Sequence, residues 1–251
     1  EANEAQRVTV YKTLSAIPSA PQPALPWSLL LEQQFYGLFS QKTYDWEAIS
    51  CDNDGDIWLA SEQFIALLKV SQQGDSTWLD TDIYTKGRAA GLFQVNNGFI
   101  EGLAWQAPNR LLIAAERQER GIIVAEIKNQ TQAEISQVQA LPASALAEQT
   151  GRSADFSDLW LEADALYTLE RNQFAVCRRT LTSYEVERCW SYGAIENSAD
   201  YIYPENHYGI AEGLARIGKQ LFIVVDSNQK KRLKTGQSDA MLFIYTLPED
   251  W

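Results

Sequence analysis

The sequence predicts an all-β protein, a β-propeller formed as one domain over residues 1–251. Three observations carry that expectation: an internal repeat, short apolar runs without helical spacing, and carboxylates that recur at fixed places in each repeat. The repeat is visible in EAISCDNDGDIWLASE (47–62), EGLAWQAPNRLLIAAE (101–116), DFSDLWLEADALYTLE (155–170) and EGLARIGKQLFIVVD (212–226). Their starts lie 54, 54 and 57 residues apart, a period that marks a repeat architecture.

Each segment reads as a strand, a polar turn and a second strand. The runs IWLA, LLIAA, LYTL and LFIVV are short and rich in β-branched or aromatic residues, which suits strands and not helices of ten or more residues. A third strand follows in FIALLKV (64–70), GIIVAEI (121–127), FAVCRRTL (174–181) and AMLFIYTL (240–247). A fourth, outer strand is expected at 77–84, 134–141 and 186–192, and a short helix at 142–149. Four antiparallel strands per unit make a propeller blade. WSLLLEQQF (27–35) resembles IWLASEQF (57–64), so the expected ring has five four-stranded blades, four clear and one degenerate at the N-terminus. The piece 7–14 would then supply the outer strand of the last blade and close the ring, removing exposed sheet edges.

Composition limits the partners. The formal net charge of -12 repels a polyanion, so nucleic acid is not expected as a partner. The basic run Lys230, Lys231, Arg232 and Lys234 lies between strand-like segments and reads as a solvated loop. No apolar run reaches the roughly 18–20 residues of a membrane-spanning helix. The chain begins at Glu1 and its one methionine is Met241, which fits a removed leader and a periplasmic or secreted protein. Cys177 and Cys189 flank a strand–turn–strand segment and can pair if they share a face, leaving Cys51 as an expected buried small residue.

In a propeller the first strand of each blade lines the channel and the second returns beside it. The start of one and the end of the other therefore emerge on the same face. Glu47, Glu101, Asp155 and Glu212 are thus expected to form an inner ring, with Glu62, Glu116, Glu170 and Asp226 outside it. Crowded carboxylates either raise one another's pKa or recruit a hard cation such as Ca2+, so the inner ring is a candidate metal site. The competing reading is structural: these carboxylates accept backbone hydrogen bonds from the next blade, and Arg117 and Arg171 neutralise the outer set. His207, the one histidine, falls in a Tyr-bearing loop at the same face, as a catalytic or rim residue. DNDGD (52–56) reads as a β-turn because the rest of a calcium loop is missing.

NNGFIEGLAW (96–105), NRLLIAAER (109–117), DFSDLWL (155–161), ALYTLERNQF (165–174) and YGIAEGLA with LFIVVDSN (208–228) together resemble the propeller family named for the esterase-like activity of phytase. The likeness places Glu101, Glu116, Asp155, Glu170, Arg171, Glu212, Asp226 and Asn228 at the family's positions. It implies an extracytoplasmic, metal-assisted hydrolase of phosphate or carboxylic esters, in which Arg117 and Arg171 stabilise developing charge and a small ester occupies the channel. A propeller that binds a ligand or protein without catalysis is the alternative from residue chemistry alone. A calcium-dependent lactonase-like propeller would need more Asn ligands and a His base, and only His207 is present.

Overall fold

The computed structural model describes residues 44–95, 98–162, 164–249 and 251. Among these residues the chain forms four antiparallel blades in sequence order. The first holds β1 (Trp46–Cys51), β2 (Ile57–Ser61), β3 (Ala66–Val70) and β4 (Ser76–Trp78). The second holds β5 (Ile100–Gln106), β6 (Arg110–Ala115), β7 (Gly121–Ile127) and β8 (Ala133–Ala140). The third holds β9 (Asp158–Glu162), β10 (Ala165–Glu170), β11 (Ala175–Thr180) and β12 (Val186–Ser191). The fourth has three strands, β13 (Ala211–Ile217), β14 (Gln220–Val225) and β15 (Met241–Thr246). The first strands β1, β5, β9 and β13 adjoin one another in turn and line the channel. The expected degenerate blade at 27–35 and the closing strand at 7–14 lie outside the described residues.

The blades stack through alternation. In β6, Leu111, Ile113 and Ala115 pack towards the first blade, while Leu112 and Ala114 pack against Phe156, Leu159 and Leu166 of the third. A strand sends successive side chains to opposite faces, so a central blade must be apolar on both. That requirement explains the unbroken run LLIAA, whose buried residues each contribute about 1.5–3 kcal/mol when large. On the fourth blade the same alternation buries Ile223 and Phe243 but leaves Val224, Leu242 and Ile244 exposed.

Several local expectations hold. Asp52 makes the 52–56 segment a turn, its Oδ1 accepting the Asp54 and Asp56 N–H groups at 3.0 and 2.9 Å. Cys177 and Cys189 sit directly opposite in β11 and β12 and form a disulfide. The basic run lies in the loop between β14 and β15. Others are corrected. The outer strand expected at 77–84 stops at Trp78, and α1 (Ile83–Ala89) follows, turning Ile83 and Tyr84 into the core. The expected helix is α2 (Ala145–Thr150), starting after Pro142, and α3 (Gly193–Glu196) follows β12. Cys51 is exposed, because it ends β1 at the far mouth of the channel.

The glycine of the second blade's E-G-L-A has a packing reason. A Cβ on Gly102 would stand 2.9 Å from the Asp158 Cα and the Leu159 nitrogen, so β9 approaches β5 only because that atom is missing. In the fourth blade a Cβ on Gly213 would meet only the Val224 side chain, at 3.4 Å. Gly102→Ala is therefore expected to cost about 1–3 kcal/mol of stability, read by denaturant unfolding, while Gly213→Ala stays within about 1 kcal/mol.

Candidate functional site

Three of the four inner strands share a device that aims a carboxylate. The β1/β2, β5/β6 and β13/β14 ladders each skip a residue, between Trp46 and Ala48, Ile100 and Gly102, and Ala211 and Gly213. The skipped residues are Glu47, Glu101 and Glu212. A bulge frees one residue from the ladder and redirects its side chain, which is how bulges serve binding sites. In the third blade Asp155 precedes β9 and is held by a single bridge to Arg117.

These groups open on a cavity of about 700 Å³ at one mouth of the channel. Its walls carry Asp45, Glu47, Glu62, Glu101, Glu212 and Asp226, with Arg117, Arg152, Arg171, His207 and Asn228. Glu116 and Asp155 lie just beneath, fully buried. Of the residues singled out in the sequence, Glu47, Glu62, Glu101, Glu212, Asp226, Asn228, Arg117, Arg171 and His207 line this one space. The sequence reading missed Asp45, Arg152 and Asn172, each adjacent to or near a repeat boundary but outside the repeated phrase.

A guanidinium sits among the carboxylates of the expected inner ring. Arg171 begins a 3-10 turn (Arg171–Gln173) directly after β10 and reaches inward. Its Nε donates to Asp155 Oδ2 at 2.8 Å and its Nη1 to Glu212 Oε2 at 2.5 Å. Its Nη2 donates to Glu116 Oε1, and Glu101 Oε2 lies 3.8 Å from Nη1. Of the four expected metal ligands, three are therefore grouped around Arg171, and only Glu47 stands apart. Arg117 also donates to Glu116 Oε1. Arg171 is thus a positioning residue, each of its three nitrogens committed to a carboxylate.

Glu170 takes a different place from the one the sequence suggested. It is one residue from Arg171 and points the opposite way, accepting from Arg120 at 2.9 Å, Ser144 at 3.1 Å and Arg179 at 2.6 Å. Burial would raise its pKa, but Arg120 and Arg179 hold it below the ordinary value. It ties β10 to its neighbours and does not line the cavity. Gly209 fixes the His207 loop: a Cβ there would lie 2.0 Å from the Arg171 carbonyl oxygen, so the loop rests directly on the Arg171 backbone.

The acids remain in excess. Asp45, Glu47, Glu62, Glu101, Glu116, Asp155, Glu212 and Asp226 face Arg117, Arg152 and Arg171, eight carboxyl groups against three guanidinium groups. Burial, then the neighbouring charge of Asp45, pushes Glu47 up to about 8. Burial, then Glu116, pushes Glu101 well above its usual range. Burial also raises Glu62, Asp155 and Glu212, against the lowering pull of Arg171. Oxygens of Asp45, Glu47 and Glu62 lie within 4.8 Å of one another, as do those of Glu62, Glu101 and Glu116. Asp45 stands at φ 47, the left-handed region that Asp tolerates better than most residues. Its carbonyl accepts the Glu62 N–H at 2.8 Å, which sets the two side by side.

Among curated proteins none matches the sequence. A family profile described as SdiA-regulated matches residues 38–177, more than half of the chain. The chain belongs to the SdiA-regulated family. The matched stretch spans the first two blades and most of the third up to Cys177, and so contains Glu47, Glu101, Asp155 and Arg171 but stops before Glu212. Among solved structures, the Myxococcus xanthus glutaminyl cyclase is similar with a TM-score of 0.47 and 9% identity, over 77% of this chain and 68% of that one. A virginiamycin B lyase from Staphylococcus aureus gives 0.44 and 12% identity, over 84% of this chain and 58% of that one. A Bacteroides caccae protein of unknown function gives 0.46 and 9%, over 82% and 79%. No activity passes to this chain at such scores.

Two outcomes follow from the charge arrangement. Arg171→Met leaves buried carboxylates without their cation and is expected to cost about 3–5 kcal/mol, measured by chemical denaturation. Because Glu47, Glu62, Glu101 and Glu212 titrate above the ordinary 4.5 in the folded protein, that state keeps protons which the unfolded chain releases. Chelator-treated protein should therefore lose thermal stability as pH rises from about 5 to about 8, and its Tm series should show that decline.

Proposed function

We propose that the chain is a metal-assisted hydrolase of phosphate or carboxylic esters that works in the acidic mouth of the propeller. One observation carries the reading. The same cavity joins a carboxylate group suited to a hard cation, Asp45, Glu47 and Glu62, with an arginine whose donor has no acceptor, Arg152 Nη1.

The mouth residues fit a divalent cation on their own chemistry. Three carboxylates with oxygens within 4.8 Å of one another repel unless a proton or a cation sits among them, so Asp45, Glu47 and Glu62 would hold a hard cation, and Ca2+ or Mg2+ suits such a set. When bound, the ion supplies Lewis-acid polarisation of an ester oxygen or a water of lowered pKa. The chain's residues do the rest. Arg152, at the cavity wall with its guanidinium 4.9 Å above the Phe174 ring, would turn to the anionic part of the ester, its buried Nη1 having no acceptor among the described residues. His207, exposed at the rim, is the imidazole available to move a proton to the leaving group. Arg171 and Arg117 hold Glu116, Asp155 and Glu212 in place beneath.

The likeness of EGLAW, LLIAAER, DFSDLWL and YTLER to the phytase-like propeller family supports an ester as substrate and calcium as the ion. The Cys177–Cys189 disulfide supports a periplasmic or secreted setting, since such bonds persist in oxidising compartments. A propeller that binds a ligand through the half-exposed Tyr208 and the His207 loop, without turnover, is the competing outcome.

The test is release of product from a chromogenic phosphomonoester and a carboxyl ester by chelator-treated protein, with and without Ca2+, Mg2+ or Mn2+. Turnover should require the ion and disappear in Asp45→Asn. Arg152→Met should raise KM by about tenfold or more with a smaller change in kcat, matching loss of a charge-assisted hydrogen bond of about 1.5–3 kcal/mol. Absence of turnover with every ion would make this a binding propeller.

A further inference from the structure

We infer that Glu62, Glu101 and Glu116 form a second divalent-cation position, deeper in the channel than the mouth and joined to it through Glu62. The inference extends the proposed metal-assisted reading but rests on separate residues. Oxygens of the three carboxylates lie within 4.8 Å of one another. Hard cations bind carboxylate oxygens at roughly 2.3–2.6 Å, so one ion spans such a triangle. All three residues are buried, with relative exposures of 4%, 6% and 0% for Glu62, Glu101 and Glu116.

A second observation points to a ligand there. Glu116 Oε1 takes both arginine contacts, from Arg117 and Arg171, whereas Oε2 is sealed from solvent and has no hydrogen-bond partner among the described residues. A buried carboxylate oxygen left bare is costly, and native structures rarely keep one without a partner. That oxygen lies close to the Gly98 backbone. The Cβ site of Gly98 is 3.5 Å from Glu116 Oε2, and the next N–H, of Phe99, donates to Glu62 Oε1 at 2.8 Å. Glu101 has, among the described residues, no arginine nitrogen closer than the 3.8 Å to Arg171. Five carboxyl groups here, Glu62, Glu101, Glu116, Asp155 and Glu212, outnumber the arginines Arg117 and Arg171 that contact them.

Sharing Glu62 makes the two positions a bridged pair. Such pairs clamp an anionic group between two ions, which suits an ester of phosphate. It also gives the buried Glu101 and Glu116 a role that the mouth site does not use.

The experiment is calorimetric titration of CaCl2 into the chelator-treated full chain, repeated for Asp45→Asn, Glu101→Gln and Glu62→Gln. Two ions per chain are expected for the parent, one for Asp45→Asn, one for Glu101→Gln, and affinity weakened about tenfold or more for both positions in Glu62→Gln. A single ion that Asp45→Asn abolishes and Glu101→Gln keeps would overturn the inner position and leave the mouth reading standing. A single ion with the reverse pattern would support the inner position and overturn the mouth. No binding by the folded parent overturns both. Should Glu101→Gln fail to fold, anomalous scattering from parent crystals soaked in Mn2+ decides the matter: two peaks support the inference, and one peak at Asp45 overturns it.

Discussion

The contact of the Arg171 guanidinium with Asp155, Glu116 and Glu212 is the constraint around which the mouth of this propeller is arranged. It draws acids from the second, third and fourth blades to one cation. Taking that charge out of water is expensive, and only several well-placed acceptors make it tolerable. Each acceptor is in turn buried because its strand belongs to a packed blade. The ion cluster and the stacking of the sheets therefore depend on each other, and the Gly209 backbone seated on Arg171 extends that dependence to the His207 loop.

Backbone geometry does the aiming. A regular ladder would turn alternate residues of β1, β5 and β13 into the inter-blade core, where a bare carboxylate is unaffordable. The skipped residue in each ladder breaks the alternation once, at Glu47, Glu101 and Glu212, and then lets it resume. Below the site the same inner strands are tied by other polar side chains. Ser50 accepts the Trp105 N–H at 2.9 Å and Asp158 accepts the Leu214 N–H at 2.7 Å. These links join β1 to β5 and β9 to β13, as Glu62 joins the first blade to the second by accepting the Phe99 N–H.

The division of labour among the arginines follows from where their acceptors lie. Arg120 and Arg179 are spent on Glu170 away from the cavity, and Arg171 and Arg117 on the acids beneath it. Arg152 retains an unpaired nitrogen at the cavity wall. Acid groups still outnumber these cations at the mouth, and this imbalance underlies both the proposed chemistry and the inferred pair of ion positions.

The repeat determined the fold because a two-residue alternation of apolar and polar positions, with turn residues between, is a local property of the chain. The blade order, most strand positions, the 52–56 turn and the face carrying the carboxylates could all be read from it. The pairing of Cys177 with Cys189 was open in the sequence, since it depends on which side chains share a face. Only the tertiary structure decided which charge meets which. Glu170 and Arg171 are neighbours in the chain yet serve separate networks, because a strand followed by a 3-10 turn sends them to opposite sides. Asp45 and Glu62 lie 17 residues apart and meet through one backbone hydrogen bond, a proximity that no spacing rule contains. Repeat periodicity fixes where carboxylates emerge, but the partner of each is set by long-range packing and desolvation, which act only once the blades have closed around them.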